Sequence, residues 1–196
     1  MTGEGRLDDD APRCDWAVGA PPIYRDYHDQ EWGRPLRGRT ALFERLSLEA
    51  FQSGLSWLVI LRKREAFRRA FAGFDIDTVA RYTDADVARL MGDPAIVRNR
   101  AKIDATVSNA RAAADLDVDL SDLLWSFAPP PRPRPATIAE IPSHTPESRA
   151  LARALKDRGF RFVGPTTAYA LMQASGMVDD HVRTCRVPRQ GGEPSA

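Results

Sequence analysis

The chain has 196 residues, 43% of them hydrophobic and 28% charged, which suits one compact globular domain and excludes a disordered or fibrous protein. Its 28 basic and 27 acidic residues leave a net charge of +1, so global charge gives no argument for a nucleic-acid partner, and only local clusters of basic residues could make a phosphate-facing surface. No apolar run approaches the ~20 residues of a membrane span, and the polar start lacks signal-peptide character, which points to a cytoplasmic protein with no membrane partner.

Residues 1–11 and 189–196 are polar and rich in Gly and Pro, and are expected to be flexible ends flanking a single domain over 12–188. Residues 14–33 are dense in aromatics (Trp16, Tyr24, Tyr27, Trp32) but too irregular for a periodic helix. Thr40 is placed to cap a helix with the stripe Leu42, Leu46, Glu49 and Ser53, and Gly54 to end it. Ser56 starts the next helix, Trp57 to Phe71. Thr83-Asp84-Ala85-Asp86 has capping-box form, and Gly92-Asp93-Pro94 stops the helix that follows. Another helix begins near Arg98 and runs through Ile103, Val107 and Ala110, so residues 84–113 read as helix, tight hairpin, helix. Ser121 caps a short helix holding Leu124, Trp125 and Phe127, and Ala128 to Pro135 is a proline-rich loop. Thr145-Pro146 opens a helix closed by Gly159, and Pro165 to Ser175 forms the last. No alternating strand run is present, so the class is all-α.

His181 and Cys185 stand four residues apart, a spacing that lets both face one ion. A tetrahedral site needs two more ligands, and the candidates are Cys14, His28 and His144, with Cys14 and His28 the natural pair. Ordinary packing of lone thiols and imidazoles is the competing reading. Four ligands drawn from irregular or terminal segments with no open position would describe a structural site rather than a catalytic one. Glu49 lies on the apolar stripe of its helix, so its carboxylate is either paired with an arginine or lines a cavity. A pocket carboxylate beside aromatic faces would suit an amino-bearing, cationic base.

Ordered runs through the chain carry a family resemblance: Cys14-Asp15-Trp16, Tyr24 to Gly33, Leu48 to Trp57, Leu124 to Phe127, Arg158 to Gly164 and Asp180 to Cys185. They resemble the DNA-3-methyladenine glycosylase I family over roughly Arg13 to Pro188. That resemblance implies a helix-hairpin-helix glycosylase fold and hydrolysis of the N-glycosidic bond of 3-methyladenine in alkylated double-stranded DNA by a monofunctional enzyme; a monomer is the default expectation. It implies a structural zinc on Cys14, His28, His181 and Cys185, tying the two ends of the chain together. It places Glu49 on the base as the catalytic carboxylate, Trp16, Tyr24, Tyr27 and Trp57 around the base, and Arg98, Arg100 and Lys102 on the phosphate backbone. The chain departs from the family pattern at Ala101, where a glycine is common, and in a slightly longer Cys14–His28 interval, which the Ala20-Pro21-Pro22 loop absorbs. Two rivals remain: a strand-cleaving lyase using Lys63, Lys102 or Lys156, and a non-enzymatic, zinc-stapled DNA-binding module.

Overall fold

The computed structural model describes residues 7, 8 and 10–189, so most of the two expected flexible ends lies outside the described residues. Those described are all-helical, without a strand, and none of the helices is long and apolar enough to cross a membrane. After a short turn of 3-10 helix at Asp15–Ala17, helix α1 covers Pro22–Gln30. This corrects the reading of residues 14–33 as non-helical. Pro22 takes the first helical position, where a missing N–H costs nothing. Tyr24, Tyr27 and His28 then follow at i, i+3 and i+4 and share a face.

Helix α2 spans Arg39–Gln52, with Gly38 at φ 89° as its N-cap residue in place of Thr40. Helix α3 spans Trp57–Ala70 and begins after Ser56, as its sequence implies. A short helix the sequence reading did not anticipate, α4 (Ile76–Ala80), is capped by Asp75, which accepts the Thr78 N–H at 2.9 Å. The Thr83/Asp86 capping box opens α5 (Asp84–Gly92) as expected. Helix α6 is Arg100–Ala114, later than the expected start at Arg98, because Asn99 Oδ1 accepts the Lys102 N–H and fixes the cap there. Asp119 rather than Ser121 caps α7 (Leu120–Trp125), accepting the Ser121 N–H at 2.7 Å, and Phe127 falls beyond its end. Helices α8 (Pro146–Asp157) and α9 (Pro165–Ala174) follow, α8 closed at its start by a second capping box, Thr145 with Ser148.

Helix α2 runs through the middle, touching α3, α4, α6, α7 and α9. Its residues from Leu42 to Phe51 are therefore buried almost all round, polar Arg45, Ser47 and Glu49 among them. Each buried Leu or Phe contributes roughly 2 kcal/mol, enough to hold charged neighbours out of water. One apolar cluster runs from Tyr27 to Val178, and a small second one joins Cys14, Val182, Cys185 and Val187. Trp16 and Trp32 pack against both clusters, so the two ends of the chain share walls with the main core.

Candidate active site and metal centre

Cys14, His28, His181 and Cys185 are all buried, and their donor atoms lie within 4.8 Å of one another. His28 comes from α1, Cys14 from just before the first turn, and His181 and Cys185 from a turn after α9 rather than from a helix. The sulfur-to-nitrogen separations are 3.6 Å for Cys14 to His181, 3.6 Å for Cys185 to His28 and 3.5 Å for Cys185 to His181. Donors at about 2.1 and 2.3 Å from one ion and at a tetrahedral angle would lie about 3.6 Å apart. The set therefore has the shape of a four-ligand metal site.

The surroundings prepare the ligands for that role. His28 Nδ1 donates to Asp29 Oδ1 at 2.7 Å, and His181 Nε2 donates to the Trp32 carbonyl at 3.1 Å, which leaves the other nitrogen of each ring as a lone-pair donor. Asp29 is gripped in turn by Arg13 Nε and Nη2. Burial opposes ionisation of Asp29, but the hydrogen bonds from Arg13 and His28 outweigh it and hold the carboxyl below its usual range. A hydrogen bond between the two sulfurs pushes Cys14 up, with burial adding to it, and holds Cys185 down together with the histidine contacts. Arg13 and Asp29 were not singled out from sequence. Gly33 belongs here too: at φ 74° a Cβ would meet His181 Nε2 at 3.0 Å, so the backbone passes too close for a side chain.

Adjacent to this centre is a pocket of about 350 Å³ lined by Trp16, Tyr24, Tyr27, Glu49 and Trp57, a size in the usual range for a small-molecule site. The structure brings all five sequence candidates together and adds Trp32, Gln52 and Gln173. Gln52 stands one turn after Glu49 on the same face of α2, a signal present in the sequence. Tyr24 and Tyr27 are near parallel, with an interplanar angle of 17°, and Tyr27 meets Trp57 at 5.3 Å between ring centroids.

Glu49 is 5% exposed, and no described residue donates a hydrogen bond to its carboxylate. Burial pushes its carboxyl up to about 7, against the pull of Arg45. The Trp57 indole N–H is likewise buried without an acceptor. The Glu49 carboxylate is thus an acceptor without a protein donor at an aromatic-walled cavity, and leaving such a group unpaired is costly unless a ligand completes it.

The hairpin between α5 and α6 separates the three basic candidates. Arg98 and Arg100 are exposed, Arg100 in an ion pair with Asp104 at 3.1 Å. Lys102 is 8% exposed and turns inward, its Nζ donating to the carbonyls of Phe51 at 2.8 Å and Ser53 at 2.5 Å. The expected phosphate contact by Lys102 is corrected accordingly: the side chain closes the C-terminal end of α2, whose carbonyls lack helical partners. Lys102→Met is expected to lower the stability of the chain by about 1–3 kcal/mol in urea unfolding, with no change in the salt dependence of DNA binding. Lys63 holds the hairpin, donating to the Pro94 and Ala95 carbonyls. Among the described residues, no lysine lines the pocket.

Comparison with known proteins places this geometry. The family model for methyladenine glycosylase matches residues 16–189. The chain is 46% identical over 178 residues to DNA-3-methyladenine glycosylase 1 of Escherichia coli strain K12, covering 88% of this chain and 95% of that one. It is 44% identical over 181 residues to the DNA-3-methyladenine glycosylase of Haemophilus influenzae, with 88% and 96% covered. A crystal structure of 3-methyladenine DNA glycosylase I superposes with a TM-score of 0.86 at 45% identity, over 89% of this chain and 98% of that one.

Proposed function

The chain belongs to the methyladenine glycosylase family, and from that premise we propose that it excises 3-methyladenine from alkylated double-stranded DNA by hydrolysing the N-glycosidic bond, the first step of base excision repair. The observation that carries this reading is Glu49, a buried carboxylate without a protein partner at an aromatic pocket.

A base inside a duplex is out of reach, so the nucleotide is extruded into the pocket at a cost of a few kcal/mol, less for a damaged base. Adenine methylated at N3 is cationic. Electron-rich Trp and Tyr faces attract it, and the Glu49 carboxylate accepts from its exocyclic amino group while balancing the ring charge. When the bond from C1′ to the base breaks, its electron pair neutralises the ring, so the leaving group is already activated. Water then bonds to C1′ and releases its proton to solvent. Glu49 and the aromatic walls act mainly by recognising and orienting the cationic base, and no amine nucleophile takes part.

Cys14, His28, His181 and Cys185 are read as ligands of a structural zinc: four protein ligands leave no open position for water or substrate. The ion, when bound, would tie the segment before α1 to the turn after α9. Arg98, Arg100 and the backbone N–H groups of the hairpin are proposed to grip phosphates. We read residues 12–188 as one domain, with the helix-hairpin-helix region over 84–113, acting as a monomer in the cytoplasm.

The test is chromatography of the free bases released from methylated duplex DNA. Release of 3-methyladenine with little 7-methylguanine is the expected result; no release by folded, zinc-loaded protein would reduce the chain to a binding scaffold.

A further inference from the structure

Behind the pocket lies a buried cation that the proposed chemistry does not use. Arg45 precedes Glu49 by one turn of α2 and is 7% exposed. Its Nη1 donates to the Tyr27 hydroxyl oxygen at 2.8 Å, and its Nη2 to Glu31 Oε2 at 3.3 Å. Glu31 is held from its other side by Arg64, through Nη1 at 2.6 Å and Nη2 at 2.9 Å. The Arg45 guanidinium also lies over the Tyr27 and Trp57 rings, at 5.3 and 5.7 Å from their centroids. A buried arginine is ordinarily there to satisfy a carboxylate, yet Glu31 already has Arg64, and Glu49 lies beyond ion-pair distance of Arg45.

Resting on the glycosylase reading, we propose that Arg45 is a positioning residue of the base pocket, fixing the Tyr27 hydroxyl and supplying the charge that faces Glu49. Two consequences follow from its geometry. A guanidinium only donates, so the bond from Arg45 occupies a lone pair of the Tyr27 oxygen and leaves the phenolic hydrogen to be donated elsewhere, toward the pocket that Tyr27 lines. Tyr27 is thereby a fixed donor beside Glu49, a fixed acceptor. A purine offering an amino group next to a ring-nitrogen acceptor, as adenine does, matches that pair, whereas a purine with an oxo group there opposes Glu49 with a second acceptor.

The second consequence is electrostatic. The groups that face Glu49 are Arg45 on its own helix and Tyr24 and Tyr27 on α1; Glu31 and Arg64 act one step removed, through Arg45. Arg45 is the cation in that set that favours ionised Glu49. Arg64 and Glu31 compensate each other, so Arg45 keeps Glu49 ionisable without leaving the pocket strongly positive toward a cationic base.

The test separates charge from shape. Arg45→Lys keeps the charge and loses the fork; Arg45→Met loses both. The Glu49 ionisation midpoint is read from the carboxyl carbon resonance of labelled, full-length protein between pH 5 and 9, and excision is read by single-turnover release of 3-methyladenine from methylated duplex DNA. Arg45→Met is expected to raise the midpoint by about one pH unit. Arg45→Lys is expected to leave the midpoint in place but slow excision about tenfold, and to add less than about twofold in a Tyr27→Phe background, where the hydroxyl is already gone. If Arg45→Met does not fold, Arg45→Lys alone decides between wild-type excision, which overturns the role, and a loss confined to chains that keep the Tyr27 hydroxyl, which supports it. An unmoved midpoint in folded Arg45→Met also overturns it. Wild-type protein that releases no base while Arg45→Met shifts the midpoint would overturn the glycosylase reading and leave the electrostatic role of Arg45 standing.

Discussion

Glu49→Gln is expected to slow excision of 3-methyladenine by about 10–100-fold and, in the same protein, to raise stability. The loss follows from what glutamine removes. Its amide still fits the space and still accepts, but the charge-assisted hydrogen bond to a cationic base, typically about 1.5–3 kcal/mol, is replaced by a neutral one. The gain follows from linkage. Burial lifts the Glu49 carboxyl in the folded chain to about 7, from 4.5. A group raised in this way binds its proton more tightly when folded, so stability is full below about pH 4.5 and is lost as pH rises toward 7. Above pH 7 the ionised, buried carboxylate costs roughly 3 kcal/mol, which a neutral amide avoids. Thermal unfolding at pH 8 should therefore show the glutamine variant several degrees more stable, and at pH 4.5 the difference should vanish. In the wild-type enzyme the same ionisation should make kcat/KM climb with pH through about 7, since that ratio reports the free enzyme. Full excision with unchanged base affinity in the variant would sink the role given to the carboxylate.

That opposition between stability and function was partly legible in the sequence. Glu49 stands on the stripe Leu42, Leu46, Ser53, and a carboxylate at a core position announces itself by pattern alone. The Thr83 and Thr145 helix starts were legible for a similar reason, since a capping side chain and its N–H partner lie within three residues of each other. Local chemistry also misled where two signals competed. Two tyrosines and a histidine among polar residues masked the 3.6 period of α1, although Pro22 at its start and the i, i+3, i+4 placement of Tyr24, Tyr27 and His28 were there to be read. Asp119 and Ser121 are both good caps, and only the fold chose between them.

What sequence reading missed was long-range. Lys102 looks like a surface cation in a basic run, and nothing local says that the carbonyls of Phe51 and Ser53 are waiting for it. Arg13 with Asp29, and Arg45 with Tyr27, are pairs 16 and 18 residues apart whose meaning appears only when α1 is laid beside its neighbours. The metal cluster sits between these cases. The four residues were nameable as donors and Cys14 with His28 was the natural pair, but local chemistry left His144 open as an alternative; it lies just before α8 beside Arg149, away from the cluster.

Removing the metal is expected to have the largest effect on the whole molecule. A site joining positions 14 and 28 to 181 and 185 closes a loop through most of the chain. By analogy with a covalent cross-link over 100 residues or more, that closure is worth about 4–5 kcal/mol, or about 10–20 °C in Tm for a chain of this size. Chelation should produce that drop, Cys14→Ser should reproduce it, and the purified protein should carry one zinc per chain. The effect should also reach the pocket before the chain unfolds. Trp16 meets His28 and Trp32 meets His181, edge to face at 4.9 and 4.7 Å, and both tryptophans line the base cavity. With the ligands released, these walls lose their fixed backing, so tryptophan fluorescence should shift and KM for methylated DNA should rise below the melting temperature, both reversing on readdition of zinc. Such a coupling would make the metal a brace for base recognition as well as for the fold. A chelated protein with unchanged Tm and unchanged tryptophan emission would mean that packing of Cys14, Val182, Cys185 and Val187 suffices to hold the ends together, and that the four donors sit close for reasons unrelated to an ion.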